Sequence, residues 1–230
     1  MRHLPETFSV EDRLLLDYIA ENKLSMTSEL NLITTFLCLE YLLLKNIPGD
    51  FVECGTWRGG HGLIAAHVLK KHMSNRKIFL IDTFSGMTES SSEDFFWDGQ
   101  NATKKLNQID QNETISNFLI ASADELKEHL VKLGLDENVE VIKGDVRQVL
   151  KEREFNQISF LRLDTDFYDS TKAELEILFP KVSNMGFVLI DDYDAWSGSK
   201  KATDEYLNAN DFNFMLTKID YGARLIQKSN

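Results

Sequence analysis

The stretch FVECGTWRGGHG, residues 51–62, runs from an apolar strand into a glycine-rich turn and then into a helix. Gly55, Gly59, Gly60 and Gly62 let backbone N–H groups come close to a ligand, and the helix start behind them favours negative charge. The spacing is Glu-Cys-Gly-x-x-x-Gly-Gly, not Gly-x-Gly-x-x-Gly, and the second close-approach glycine of a dinucleotide fingerprint falls on Trp57. Glu53 closes the strand. A carboxylate there repels a pyrophosphate and attracts a cationic group such as an amino-acid ammonium. The same glycines also suit a plain strand-to-helix turn, so the cradle needs support from the rest of the chain.

That support comes from the alternation downstream. Strands are expected at 50–54, 77–81, 139–142, 158–163, 187–190, 212–217 and 223–227. Helical patterns fall near 61–72, 102–109, 123–133, 146–152 and 170–179, with another around 204–207. Largely apolar strands alternating with helices imply a parallel sheet covered on both faces. Asp220-Tyr221-Gly222 is a tight-turn signal, so the last two strands form an antiparallel hairpin. Two helices precede the first strand. One, over 9–21, opens with a Ser-x-x-Asp capping box and places Val10, Leu14 and Tyr18 on one side; the other, over 28–45, ends before Pro48-Gly49. The chain thus divides into a helical extension, 1–46, acting as lid or oligomer contact, and an α/β domain, 47–230. Residues 83–99, TFSGMTESSSEDFFWDG, have no period and read as a loop at the sheet edge, of a length common in functional lids.

Composition excludes several classes. The 230 residues carry a net charge of −12, against nucleic acid or an anionic membrane as main partner. The acids are concentrated: residues 82–99 hold five and no base, and residues 160–195 hold eight against three bases. The most apolar run, 30–44, is broken by Asn31 and Glu40 and is too short to cross a membrane. The opening MRHLPETFSVEDR lacks a signal-peptide core, so a cytoplasmic protein is expected. Cys38 and Cys54 have no Cys or His company that would point to a disulfide framework or zinc.

The second acidic region carries chemistry. LRLDTDFYDST ends the fourth strand and FVLIDDYDAW the fifth, delivering Asp164, Asp166, Asp191, Asp192 and Asp194 to the carboxyl-end loops where open α/β sheets bind ligands. Carboxylates converging there repel one another unless protonated or bound to a cation. Oxygen ligands without a His or Cys cluster suit Mg²⁺, or Ca²⁺ or Mn²⁺, better than zinc. The competing reading is that Asp191 and Asp192 cap a turn and Asp164 a helix. Asp82 ends the second strand, where an acid accepts hydrogen bonds from ribose hydroxyls or simply caps a loop. Asp145, just after the third strand, either sits near an adenine or caps the helix beginning at 146. His61, beside Gly60 and Gly62, is placed to touch cofactor or substrate, but reads better as a plain helix-start histidine. Phe95, Phe96, Trp97, Tyr193 and Trp196 flank the crevice, either as an acceptor wall or as loop anchors.

Seven strands with the closing one reversed form the pattern of a class I methyltransferase sheet. IPGDFVECGTWRGG (47–60), IFLIDTFSGM (78–87), LRLDTDFYDST (161–171) and GFVLIDDYDAWSG (186–198) resemble the macrocin O-methyltransferase family, over roughly residues 27–207. The resemblance implies a Rossmann-like class I fold, S-adenosylmethionine as donor and Mg²⁺ at the acceptor site. On that pattern Asp164, Asp191 and Asp192 are the metal ligands and Asp164 the leading base. Glu53, Gly55, Thr56, Asp82, Thr83 and Asp145 contact the cofactor. Thr165 stands where many members have glycine, and the loop from 88 to 97 is unusually acidic and serine-rich. The expected activity is Mg²⁺-dependent methyl transfer to a hydroxyl of a small molecule, such as a natural-product sugar. The rivals are an NAD-linked oxidoreductase and a non-catalytic module of the same fold. The N-terminal helices can cap the site, pair with a second copy in a homo-oligomer, or do both.

Overall fold

The computed structural model describes residues 7–110 and 120–229. Strands β1 (Asp50–Cys54), β2 (Ile78–Asp82), β3 (Val139–Lys143), β4 (Ile158–Leu163), β5 (Val182–Ile190), β6 (Thr217–Lys218) and β7 (Arg224–Gln227) form one sheet in the order β3-β2-β1-β4-β5-β7-β6. The first five are parallel, and β7 runs antiparallel to both β5 and β6. This is the expected class I sheet with its closing strand reversed. The strand order turns back between β1 and β4, and a ligand crevice opens at the carboxyl ends beside such a switch point.

Helices α1 (Val10–Glu21), α2 (Glu29–Leu44), α3 (Gly60–Lys71), α4 (Ala102–Asp110), α5 (Ala123–Leu133), α6 (Val146–Glu152), α7 (Tyr168–Leu178) and α8 (Ser197–Ala209) flank the sheet. Strand pleating assigns the two faces. Phe51, Leu80, Phe160, Phe187 and Leu189 join the core of α1, α2, α3 and α5, while Val52, Ile81, Leu161, Val188 and Ile190 join that of α6, α7 and α8. Strands β1, β2, β4 and β5 bury residues on both faces, as near-continuous apolar runs require, while the edge strand β6 is exposed. No helix among the described residues is long and apolar enough to cross a membrane.

Two details depart from expectation, and a third makes one specific. The apolar side expected for α1 splits: Val10 and Leu14 are exposed and Tyr18 is half-buried against the core, whereas Leu15, Leu16 and Ile19 are buried. Asp12 sets this rotation. It completes the capping box with Ser9 and is drawn inward to His67 (2.7 Å) and Lys71 (3.0 Å) of α3. The strand expected over 212–217 contracts to Thr217–Lys218, because Phe212 and Phe214 pack against Phe179 instead of entering the ladder. Lastly, the loop over 83–99 is pinned beside the carboxyl-end loops through an isolated bridge between Phe96 and Trp196. Buried Asp94 accepts hydrogen bonds from the Ser91 N–H (2.6 Å) and hydroxyl (2.8 Å) and from the Tyr168 N–H (2.8 Å) at the start of α7.

Candidate active site

The sheet pairing places Glu53 of β1 directly beside Arg162 of β4. Both lie on the pleat face turned toward α2 and α3, as do Asp164 and Asp191 just beyond their strands. Arg162 is 1% exposed. Its Nη1 donates to Glu53 Oε1 (2.9 Å) and Asp164 Oδ2 (2.8 Å), and its Nη2 to Asp191 Oδ1 (2.8 Å). Burial disfavours the guanidinium charge, but Asp164, Asp191 and Glu53 outweigh it and raise its pKa. Arg162 was not among the expected site residues. Its signal was in the sequence: an arginine inside the apolar strand ISFLRL is rare unless paired.

Asp164, Asp191 and Asp192 each offer a carboxylate oxygen, and these atoms lie within 4.8 Å of one another. Each also commits an oxygen to the protein. Asp164 Oδ2 meets Arg162; Asp191 Oδ1 meets Arg162 and Asn31 Nδ2 (2.6 Å); Asp192 Oδ2 accepts the Asp166 N–H (3.1 Å). An all-oxygen set of this kind fits Mg²⁺. Burial, reinforced by Asp164, pushes Asp191 up to about 7. Asp166 rises to about 7 by burial and the charges of Asp164 and Asp191, and Asp192 rises well above its ordinary value for the same kinds of reason. Asp194 is drawn away to Arg224 and Lys218.

The cradle lies across the switch point. Gly55 has φ 81°, and a Cβ there would sit 1.8 Å from the Asp164 carbonyl oxygen, so only glycine lets the ends of β1 and β4 meet. Asp82 Oδ2 accepts the Trp57 N–H (2.7 Å) and Oδ1 the Phe84 N–H (2.8 Å), tying the β2 end to the cradle. Burial raises the Asp82 pKa, opposed by these N–H groups. Thr83 donates to the Gly86 carbonyl (2.6 Å). A cavity of about 440 Å³ is lined by Gly55, Thr56, Asp82, Thr83, Asp164, Asp191 and Asp192 together, within the usual range for small-molecule sites.

Two expected cofactor contacts are placed elsewhere. Glu53 is not among the cavity-lining residues. It lies beneath the floor, accepting from Thr56 Oγ1 (2.6 Å) and Arg162, and burial lifts it to about 7 against the pull of Arg162. Asp145 takes the capping alternative: it accepts the Arg147 N–H (2.9 Å) and pairs with that guanidinium, while Gly144 and Val146 on either side line the cavity. His61, by contrast, lines the cavity and is buried between Thr27 Oγ1 (3.0 Å) and Thr35 Oγ1 (2.8 Å). Burial, then Arg162, holds it neutral, well below its ordinary pKa. Of the flanking aromatics, Phe96 and Trp196 line the cavity; Phe95, Trp97 and Tyr193 do not.

A family model described as Macrocin-O-methyltransferase (TylF) matches residues 8–228. Demethyldecarbamoylnovobiocin O-methyltransferase of Streptomyces niveus is 31% identical over 185 residues, covering 80% of this chain and 67% of that protein. The 8-demethyl-8-(2,3-dimethoxy-alpha-L-rhamnosyl)-tetracenomycin-C 4'-O-methyltransferase of Streptomyces olivaceus is 30% identical with the same coverage of both chains. Among solved structures, the O-methyltransferase NovP superposes with a TM-score of 0.79 at 29% identity, over 90% of this chain and 83% of that one.

Proposed function

Because the chain belongs to the macrocin O-methyltransferase family, we propose that its acceptor is a hydroxyl of a natural-product sugar and that Mg²⁺ at Asp164, Asp191 and Asp192 assists the transfer. The protein is an S-adenosylmethionine-dependent O-methyltransferase. One observation carries the metal reading: three carboxylates converge within 4.8 Å, each already oriented through one oxygen by a protein donor. The rhamnosyl acceptor named for the Streptomyces olivaceus relative supports the sugar.

Gly55, Thr56, Asp82 and Thr83 hold the cofactor in this reading, with Asp82 facing its ribose. Glu53 acts from below by fixing the Thr56 hydroxyl. A bound Mg²⁺ supplies Lewis acidity that orients the acceptor oxygen and lowers its pKa. Asp164 takes the hydroxyl proton as the oxygen attacks the methyl carbon and the carbon–sulfur bond breaks. Arg162 holds the Asp164 and Asp191 carboxylates in place through its two terminal nitrogens. Leu24, Ser25, Met26 and Thr27 line the cavity from the α1–α2 loop, which supports a lid role for the extension over 1–46.

The test is methyl transfer from labelled S-adenosylmethionine to a panel of glycosides. Asp191→Asn and, separately, EDTA treatment of the parent are expected to lower kcat/KM about 100-fold or more. The affinity for S-adenosylhomocysteine should change by less than about threefold. Full activity under both conditions would remove Mg²⁺ from the mechanism.

A further inference from the structure

Building on the sugar-hydroxyl reading, we infer that Tyr221 and Met26 form a platform at the rim of the cavity that recognises a flat, uncharged, apolar group attached to the reacting sugar. Both side chains line the cavity yet remain in contact with water, at 71% and 52% exposed. The carboxylates of Asp164 and Asp191 lie deeper, at 26% and 16%. A hydroxyl that reaches those carboxylates leaves the substituent of its sugar at the rim. An aromatic ring and a thioether are side chains suited to covering a flat apolar surface there.

The two segments that carry the platform are tied together before any ligand arrives. Tyr221 sits on the β6–β7 turn and Met26 on the α1–α2 loop. Asp220 joins the two: its Oδ1 accepts the N–H groups of Gly222 (3.0 Å) and Ala223 (2.9 Å), and its Oδ2 accepts the Ser28 hydroxyl (2.5 Å). The Asp194 N–H donates to the Gly222 carbonyl (3.0 Å), fixing the turn from the other side. None of these bonds uses the Tyr221 side chain, so the turn does not require its ring. A preorganised contact of this kind gives affinity at low ordering cost. The Asp220 carboxylate that holds the turn puts negative charge next to the platform. A carboxylate there disfavours a diphosphate-bearing acceptor and admits an uncharged one.

The experiment titrates the full chain, saturated with S-adenosylhomocysteine, with two probes followed by saturation-transfer NMR. They are p-nitrophenyl α-L-rhamnoside, with a flat uncharged aglycone, and methyl α-L-rhamnoside, without one. Wild type is expected to bind the aryl glycoside at least about fivefold more tightly, and Tyr221→Ala to erase about five- to tenfold of that affinity. Its affinity for the methyl glycoside should fall less than about twofold. Tyr221→Phe, which keeps the ring, should stay within about twofold of wild type on both probes, and Met26→Ala should show a smaller loss on the aryl probe alone. Equal aryl affinity in wild type and Tyr221→Ala, or equal losses on both probes, would overturn the platform. So would tighter binding of thymidine-diphosphate rhamnose than of the aryl glycoside. Failure of wild type to bind either glycoside, with S-adenosylhomocysteine still bound, would overturn the sugar reading and the platform together.

Discussion

Arg162 brings one buried guanidinium to Glu53, Asp164 and Asp191, each within 2.9 Å of its nitrogens. Removing one member of a buried ion network strands the rest, at a cost of about 3–5 kcal/mol. Arg162→Met is therefore expected to lower the unfolding free energy from urea titration by that amount, and a loss under about 1 kcal/mol would show that the carboxylates find other compensation. The metal candidates at this scale were legible because strand ends carry paired acids, and strand ends meet in space. Glu53 and His61 were not. Their roles turn on pleat parity and on Thr27 and Thr35 from a preceding segment, which the residues themselves do not announce, whereas the Asp145 cap stood in the sequence beside the adenine alternative.

The loop over 83–99 shows what an aperiodic segment hides. Its length pointed to a lid, and the structure fixes how it is held: Asp94 to Ser91 and Tyr168, Phe96 against Trp196, and Ser197 donating to the Glu93 carbonyl (2.6 Å). Asp94→Ala removes the buried acceptor common to three of these donors. Limited proteolysis within 83–99 is expected to speed up about tenfold, since each lost buried hydrogen bond costs about 1 kcal/mol or more. An unchanged cleavage rate would assign the anchoring to Phe96 and Trp196 alone. Element boundaries followed the sequence where a cap was present, as at Ser9 and Ser122. They failed where aromatic packing competed with the ladder, as at Phe212 and Phe214.

Among the described residues, burial raises six carboxyl groups: Glu53, Asp166 and Asp191 to about 7, Glu174 to about 8, Asp192 well above its ordinary value, and Asp82 in the same direction. These groups ionise near 4 in the unfolded chain. Between about pH 4 and 8 the folded state therefore holds more protons, and stability falls as pH rises. Without divalent ions, Tm is expected to drop by about 4 °C or more from pH 5 to pH 8, since each kcal/mol is worth about 2–4 °C at this size. Adding MgCl₂ at constant ionic strength should recover much of that loss in wild type and little in Asp191→Asn. A Tm that rises with pH in EDTA would contradict the buried acidic cluster.

The order of strands and helices, the reversed closing strand, the glycine cradle and the two acidic regions are all written locally along the chain. These depend on local periodicity, turn chemistry and composition, which each segment carries with it. Which acids converge, that Arg162 joins them, and that Asn31 reaches Asp191 across 160 positions of chain emerge only on folding. Folding also brings Tyr221 and Met26 to one rim. Such meetings follow from sheet order and pleat parity, so no segment read alone contains them.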